Sequence, residues 1–392
     1  MGSAAGDGRR PYDIAVLKGD GVGPDVVDEA LRVLAAAVAA PGAIGAGGLQ
    51  LKFSEYPCGA DCYLEQGTPL PDDTLAACRR ADAVLIGAMG DPEVRWPDGT
   101  EMRPQVDLRF KLDLYAGVRP IYLYASHHTP LQGFEAGDID LVILRENVEG
   151  LFASMDGGIE LRGEVATDTM VITRSGTLRL ADYAFRLARE RHQERQSSAD
   201  AAGSGEPVRD AKAATVTCVD KANIFRSMAF FRRVFDEVAD GYPDVKRDHA
   251  YVDAMALYLV QRPRDHDVLV MENMYGDILS DLAAGLVGGM GMAPSGDIGE
   301  DAAIFQPSHG TAPDIAGKGI ANPVGTILSA AMMLRWLGQR HDDAAAAAAG
   351  VRIDQAVRTI LAKPGSGTPD LGGEMTTKQL GSRIAEAVAA GE

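Results

Sequence analysis

Short apolar runs of strand length recur along the chain, and helix-length segments separate them. Residues 14–17, 83–86, 141–144, 215–219 and 268–271 are such runs, rich in Val, Ile, Leu and Thr. Continuous apolar runs of this length, bounded by polar or turn residues, read as strands buried on both faces. Residues 25–40, 178–190, 224–239, 278–287 and 321–337 carry helical patterns between them. Strands alternating with helices predict an α/β fold around a largely parallel sheet. Residues 157–171 depart from this scheme. They alternate polar and apolar side chains and predict an antiparallel hairpin or arm. Residues 196–211, rich in Ser, Ala and Gly, read as a surface loop. The alanine-rich stretch 342–350 reads as helix or loop, and 365–373 as a turn-rich segment.

A chain of 392 residues with 46% hydrophobic residues is long enough for two domains with a large core. Its net charge of -18 repels phosphate backbones, which argues against a nucleic-acid partner. No apolar run approaches the ~18 residues that would suggest a membrane span. Residues 1–10 lack the apolar centre of a signal peptide and read as a short disordered tail. The cysteines are Cys58, Cys62, Cys78 and Cys218. No histidine accompanies the closely spaced pair, so reduced thiols in a cytoplasmic protein are expected rather than a zinc site.

Gly19-Asp20-Gly21-Val22-Gly23-Pro24 lies between the first strand and a helix that Pro24 opens. The amides of a helix start face anions, so a phosphate cradle is one reading. The spacing is not that of a dinucleotide fingerprint, and no P-loop lysine follows, so a tight structural turn is the other.

Asp277 and Asp281 stand four residues apart behind a strand. A helix places both carboxylates on one face, where their repulsion is relieved by a hard cation such as Mg²⁺ or Mn²⁺. Asp253 is a candidate third ligand. Arg109, Arg119 and Arg145 sit in or beside orderly segments, and guanidinium groups fork onto carboxylates. Together they suit a di- or tricarboxylate. Lys221, at a strand end, is a candidate general base, because neighbouring cations lower a lysine pKa.

These segments, taken in order, resemble the metal-dependent β-decarboxylating dehydrogenases, which include isocitrate, isopropylmalate, homoisocitrate and tartrate/D-malate dehydrogenases. The resemblance rests on the glycine segment at 19–24, Leu112-Asp113-Leu114-Tyr115-Ala116-Gly117-Val118-Arg119-Pro120, Arg145-Glu146-Asn147-Val148-Glu149-Gly150, Asp220-Lys221-Ala222-Asn223, Gly276-Asp277-Ile278-Leu279-Ser280-Asp281, and the run from His309 to Pro323. It implies the two-domain isocitrate/isopropylmalate dehydrogenase-like fold. Residues 1–115 and 288–392 would form a discontinuous cofactor domain. Residues 116–287 would form a central substrate, metal and dimerisation domain with an arm. It further implies a homodimer with shared sites, Lys221 and Asp253 entering from the partner subunit. Asp253, Asp277 and Asp281 would bind the metal, and Arg109, Arg119 and Arg145 the malate carboxylates. Lys221 would take the hydroxyl proton. His309, Gly310, Thr311, Ala312, Asp314 and Asn322 would contact the cofactor. The Asp314 carboxylate would accept from ribose hydroxyls and repel a 2′-phosphate, which favours NAD. The implied reaction is oxidation of a 3-substituted malate followed by loss of carbon dioxide.

Two positions depart from the family pattern. Phe152 stands where a proton-donating tyrosine is usual, which leaves the last proton transfer to Ser154 or water, or relaxes its stereochemistry. It also keeps open a non-catalytic regulatory paralogue. Arg103 stands where isocitrate enzymes have a serine for the extra carboxylate, while Gln105 and Val106 replace the leucines that receive an isopropyl group. Arg103 would pair with an anionic substituent or point into solvent. An isopropylmalate or a tartrate/D-malate dehydrogenase is the alternative.

Overall fold

Each of the five apolar runs is a strand whose side chains are buried almost throughout. The structure, a computed structural model, describes residues 10–40, 48–155, 157–201 and 213–391. In chain order its strands are β1 (Tyr12–Leu17), β2 (Leu51–Glu55), β3 (Ala83–Ile86), β4 (Ala116–Tyr122), β5 (Asp140–Glu146), β6 (Ile159–Leu161), β7 (Val165–Thr167), β8 (Thr215–Asp220), β9 (Lys246–Tyr251), β10 (Val268–Met271), β11 (Pro294–Ile298) and β12 (Ala303–Pro307). Its α-helices are α1 (Gly23–Ala39), α2 (Ala60–Gln66), α3 (Asp72–Arg80), α4 (Pro104–Lys111), α5 (Arg174–Ala201), α6 (Arg226–Ala239), α7 (Val252–Gln261), α8 (Asn273–Gly285), α9 (Val324–Arg340), α10 (Ala344–Leu361) and α11 (Thr377–Ala390). Among the described residues no helix is long and apolar enough to cross a membrane.

The chain divides into two compact units. The first comprises Met1–Leu112, Tyr124–Pro130 and Val287–Glu392, and the second Asp113–Leu123 and Leu131–Leu286. In the first, β1 pairs in parallel with β2 and β3, β3 with β12 in parallel, and β12 with β11 antiparallel. In the second, β4 and β5 are antiparallel, while β5, β10, β8 and β9 run parallel in that order. The largely parallel α/β fold expected from the sequence is therefore observed.

Residues 124–130, placed in the central domain by the sequence reading, belong to the first unit. The Tyr124 hydroxyl lies 3.4 Å from Asp354 of α10, and the Arg358 guanidinium lies 5.8 Å from the Tyr124 ring centre. These contacts hold the segment against a helix of the C-terminal part.

Side-chain caps set three helix starts, one of which apolar periodicity misjudges. Helix α8 starts at Asn273, not near 278, because the Glu272 carboxylate accepts from the Met274 and Tyr275 amides. The alanine-rich stretch is helix, started by Asp343 accepting from Ala345 and Ala346. Thr376 and Gln379 form a reciprocal capping box at α11. Residues 196–201, read as loop, continue α5, since Ala, Ser and Gln at its end do not break a helix. The rest of that expected loop, 202–211, lies outside the described residues, as does the expected tail except for Arg10. Arg10 makes a two-point pair with Asp82 at 2.7 Å.

The expected arm is the antiparallel pair β6 and β7, with Ile159 opposite Thr167. It presents Ile159, Leu161 and Val165 to solvent. All four cysteines are buried and unpaired. Burial pushes the Cys58 and Cys78 thiols well above the ordinary range, so neither is a reactive thiolate.

Candidate active site

Two arginines and two aspartates meet on the face of α8 in the second unit. Arg119 lies on β4 and Arg145 on β5, both buried; Asp277 and Asp281 lie one helical turn apart. Arg145 Nη1 donates to Asp277, and its Nε and Nη2 both donate to Asn273 Oδ1, at 3.0 and 2.7 Å. Arg119 Nη1 donates to Ser280 Oγ at 2.7 Å and lies 3.6 Å from Asp281; its Nη2 lies 3.8 Å from Asp277. Such close packing requires Gly276. A Cβ there would stand 2.6 Å from Arg145 Cβ and Cγ. Sequence reasoning missed Asn273, Gly276 and Ser280 as positioning residues. A glycine inside a helical pattern is the signal that marks a close approach.

Burial raises the Asp281 carboxyl, Arg119 opposes that shift, and the neighbouring Asp277 charge adds to it. A divalent cation bound here would favour the ionised form of both carboxylates. Both side chains remain about half exposed, at 45% and 56%. They therefore fit a hard cation as an incomplete oxygen donor set. Among the described residues of one chain no three His, Cys, Asp or Glu side chains gather in a metal-sized group. Asp253 does not join Asp277 and Asp281 within the chain. It pairs instead with Lys221, which keeps its carboxyl below the usual range. Asp220, immediately before Lys221, is fully buried and gripped twice by Arg232, at 2.7 and 2.8 Å, which fixes the end of β8.

Phe152 sits in a 3-10 turn (Leu151–Ser154), with the Arg145 guanidinium 5.0 Å from its ring centre. Ser154 Oγ is engaged by the backbone. It donates to Leu151 O at 3.0 Å and accepts from Thr169 N at 3.1 Å. This ties the turn to the arm and leaves Ser154 poorly placed as a replacement acid.

Arg109 and Arg103 belong to the first unit, on and before α4. Arg109 is buried, with Nε donating to the fully buried Asp297 at 2.9 Å. Asp297 was not foreseen. Arg103 is half-buried at the N-cap position, and Pro104 in the first turn opens α4. Gln105 and Val106 are half-buried on the same helix.

The cofactor candidates lie between β12 and α9. His309 Nδ1 is 2.8 Å from the Gly310 carbonyl, which accepts, so Nδ1 carries the proton and Nε2 is an acceptor. That Nε2 is buried without a hydrogen-bond partner among the described residues. Ala312 adopts φ 42°, and its carbonyl accepts from Ile315 and Ala316, shaping the turn that exposes Asp314. Asn322 is internally engaged. It donates to Asp370 at 3.0 Å and accepts from Val324 N at 3.0 Å. The buried Nε2 and the exposed Asp314 carboxylate are both acceptors, which suits the hydroxyl and amino donors of a nucleoside.

The glycine loop is a packing turn. A Cβ on Gly21 would stand 2.2 Å from the Thr311 carbonyl, and one on Gly19 2.0 Å from that of Ala88. Both take positive φ, 59° and 72°. Asp20 accepts from the amides of Ala60, Asp61 and Gly90 at 2.7–3.1 Å, so the loop carries its own anion. It serves the cofactor segment by holding Thr311, whose carbonyl also receives the Val22 amide.

The family model described as isocitrate/isopropylmalate dehydrogenase matches residues 13–387. The chain belongs to the isocitrate/isopropylmalate dehydrogenase family. It is 38% identical over 380 residues to the 3-isopropylmalate/3-methylmalate dehydrogenase of Methanocaldococcus jannaschii, covering 96% of this chain and 99% of that protein. It is 38% identical to the 3-isopropylmalate dehydrogenase of Aquifex aeolicus, covering 96% and 97%. Its fold matches the crystal structure of isocitrate dehydrogenase from Methylococcus capsulatus with a TM-score of 0.80 at 36% identity, covering 96% and 99%. As a family member the chain is a decarboxylating dehydrogenase, and its α/β architecture is the family fold.

Proposed function

We propose that the protein is an NAD- and divalent-metal-dependent 3-isopropylmalate dehydrogenase acting as a homodimer. The arginine–aspartate cluster on α8 carries this reading. Arg119 and Arg145, buried and oriented by Ser280 and Asn273, bind and align a malate carboxylate, while Asp277 and Asp281 hold Mg²⁺ or Mn²⁺ with Asp253 of the partner subunit. A cation held there would supply Lewis-acid polarisation of the substrate oxygen. Lys221 of the partner subunit is the base that takes the hydroxyl proton, and NAD would supply the hydride acceptor. Arg109 binds a further carboxylate. Phe152 shields Arg145 from water and donates no proton.

His309, with its free Nε2 acceptor, and Asp314, with its exposed carboxylate, support NAD over a cofactor bearing a 2′-phosphate. The names of the relatives support the alkyl-substituted substrate. Exposed apolar side chains in the second unit, Ile159, Leu161, Leu257, Val260 and Ile278, support pairing of two copies. A half-buried Arg103 favours a second reading, a substrate with an anionic substituent on C3.

The deciding assay follows reduced-nicotinamide absorbance with NAD and Mn²⁺ over 3-isopropylmalate, isocitrate, homoisocitrate, D-malate, tartrate and a phosphonomethylmalate. Metal-dependent turnover on isopropylmalate is expected. Turnover confined to anionic substituents, lost in Arg103→Leu, would establish the second reading. Silence across the panel would overturn both.

A further inference from the structure

Strands β11 and β12 are buried along their whole length, yet one face of the pair is polar. Gly296 and Phe305 oppose each other on the face that packs on α9. A Cβ on Gly296 would stand 3.0 Å from the Phe305 ring and 3.3 Å from Met332 of that helix. Side chains alternate along a strand, so Ser295 and Asp297 share the other face. Ser295 stands opposite Gln306, which puts Gln306 diagonally beside Asp297. Asp297 is fully buried and Gln306 is buried next to it. A carboxylate and an amide on a buried sheet face cost stability unless they are paired, so their partners show what the face is for.

The partner is Arg109. Its Nε donates to Asp297 Oδ2 at 2.9 Å, and Gln306 Nε2 donates to the same oxygen at 2.5 Å. Two donors converging on one oxygen fix the direction of the carboxylate. The backbone at Gln306 is fixed in turn, since its carbonyl accepts from Ser329 Oγ of α9 at 2.7 Å. Arginine is a long, flexible side chain that ends in a flat fork. Asp297 grips that fork at Nε and so sets its plane. The two terminal nitrogens of Arg109 have no hydrogen-bond partner among the described residues. The open end of the fork is thus left for a carboxylate from outside the chain.

We propose that Asp297, held by Gln306, is a positioning residue for the reaction. It orients the Arg109 guanidinium so that the terminal nitrogens meet a substrate carboxylate at two points. This rests on the reading of Arg109 as a substrate-binding residue. Asp297 acts through Arg109 and not on the substrate directly.

The test is a double-mutant cycle on the full-length protein, read by steady-state kinetics with NAD, Mn²⁺ and 3-isopropylmalate. Arg109→Met alone is expected to raise KM for the malate substrate by about a hundredfold, the scale of a lost ion pair. Asp297→Ala is expected to raise the same KM by about tenfold, the scale of one charged hydrogen bond lost to disorder, with KM for NAD unchanged. Placed on Arg109→Met, Asp297→Ala is expected to change KM no further. Asp297→Asn, whose amide oxygen still receives both donors, is expected to restore KM to near the wild-type value. A merely structural Asp297 would lower the active fraction, and with it kcat, in both backgrounds and leave KM alone. That result, or KM effects that multiply across the two sites, would overturn the proposal. If Asp297→Ala does not fold, Gln306→Met replaces it in the same cycle. It is expected to raise KM less, and again only where Arg109 is present; a wild-type KM in Gln306→Met, or an equal rise in both backgrounds, would overturn the proposal. Arg109→Met with wild-type kinetics would overturn the reading of Arg109 itself, a result visible before any Asp297 variant is made.

Discussion

Gly276 lies against Arg145 so closely that a single added methyl group would overlap the arginine's Cβ and Cγ, 2.6 Å away. Arg145 is in turn held by Asn273 and Asp277 from the same helix. The absent side chain thus sets the distance between β5 and α8. Gly276→Ala adds up to about 1 kcal/mol of helix propensity, but overpacking costs about 1–3 kcal/mol, so a modest net loss of stability is expected. The larger effect is on function. A guanidinium displaced by about 1 Å costs on the order of 10²-fold in kcat/KM. Steady-state kinetics and a thermal melt on the same preparation separate the two. Unchanged kcat/KM would remove Arg145 from substrate alignment.

Phe152 meets Arg145 from another side, its ring centre 5.0 Å from the guanidinium. Phenylalanine at this position gives no proton to the carbon that loses carbon dioxide, and Ser154 is occupied by backbone partners. Water then delivers the proton, with reduced facial control. Turnover in D₂O is expected to give a product with mixed configuration of deuterium at that carbon, and Phe152→Tyr to restore one configuration. An identical, single configuration in both proteins would show that another group is the acid.

How much of this was legible beforehand depends on range. The five buried strands follow from local composition, and each appears where its apolar run lies. The arginines and acidic residues were visible as types. What holds them was not. Asn273 reaches Arg145 across 128 residues of sequence, and Asp297 reaches Arg109 across 188. No periodicity reports such a pairing. The start of α8 was misjudged because Gly276 weakens the helical pattern while the signal that sets the boundary, a capping glutamate at 272, is one side chain.

The metal assignment predicts that Asp277→Asn leaves the fold intact, since a half-exposed carboxylate is replaced by an isostere whose amide oxygen still accepts from Arg145. Several kcal/mol of transition-state charge stabilisation are at stake, so kcat should fall by about 10³-fold or more. Circular dichroism checks the fold, and Mn²⁺ titration calorimetry checks the ligand role without relying on activity. Wild-type protein treated with a chelator should lose turnover and regain it on adding Mg²⁺ or Mn²⁺. Full Mn²⁺ affinity in Asp277→Asn would end the assignment.

Shared sites make a sharper prediction. Lys221→Met should reduce turnover by about 10²–10⁴-fold, the usual contribution of a general base. If Lys221 serves the partner's aspartates, a mixed dimer of Lys221→Met and Asp277→Asn chains rebuilds one intact site and one doubly defective site. Random re-pairing makes about half of all dimers mixed, so about a quarter of wild-type activity should return when the two inactive proteins are unfolded and refolded together. No recovery from a well-folded mixture would place Lys221 and Asp277 of one chain in the same site.

Glu146, next to Arg145, gives the protein a pH signature. Burial pushes its carboxyl up to about 7, although the Val148 and Glu149 amides partly oppose this. Glu272, the cap of α8, is raised by burial in the same direction. A carboxyl raised in the folded state holds its proton where the unfolded chain has released it, so the folded form binds more protons between about pH 4.5 and 7. Stability from this source therefore falls as pH rises through that window and is constant above it. Across the whole window Glu146 alone accounts for a loss on the order of 3 kcal/mol. Glu146→Gln carries no titrating proton. It gives up one of the two amide contacts, so it should be less stable than wild type near pH 4.5 and should close the gap or overtake it by pH 7. Denaturant midpoints at a series of pH values measure the slope. Parallel lines for the two proteins would mean that Glu146 is ionised in the native state throughout, with its charge balanced by Arg179.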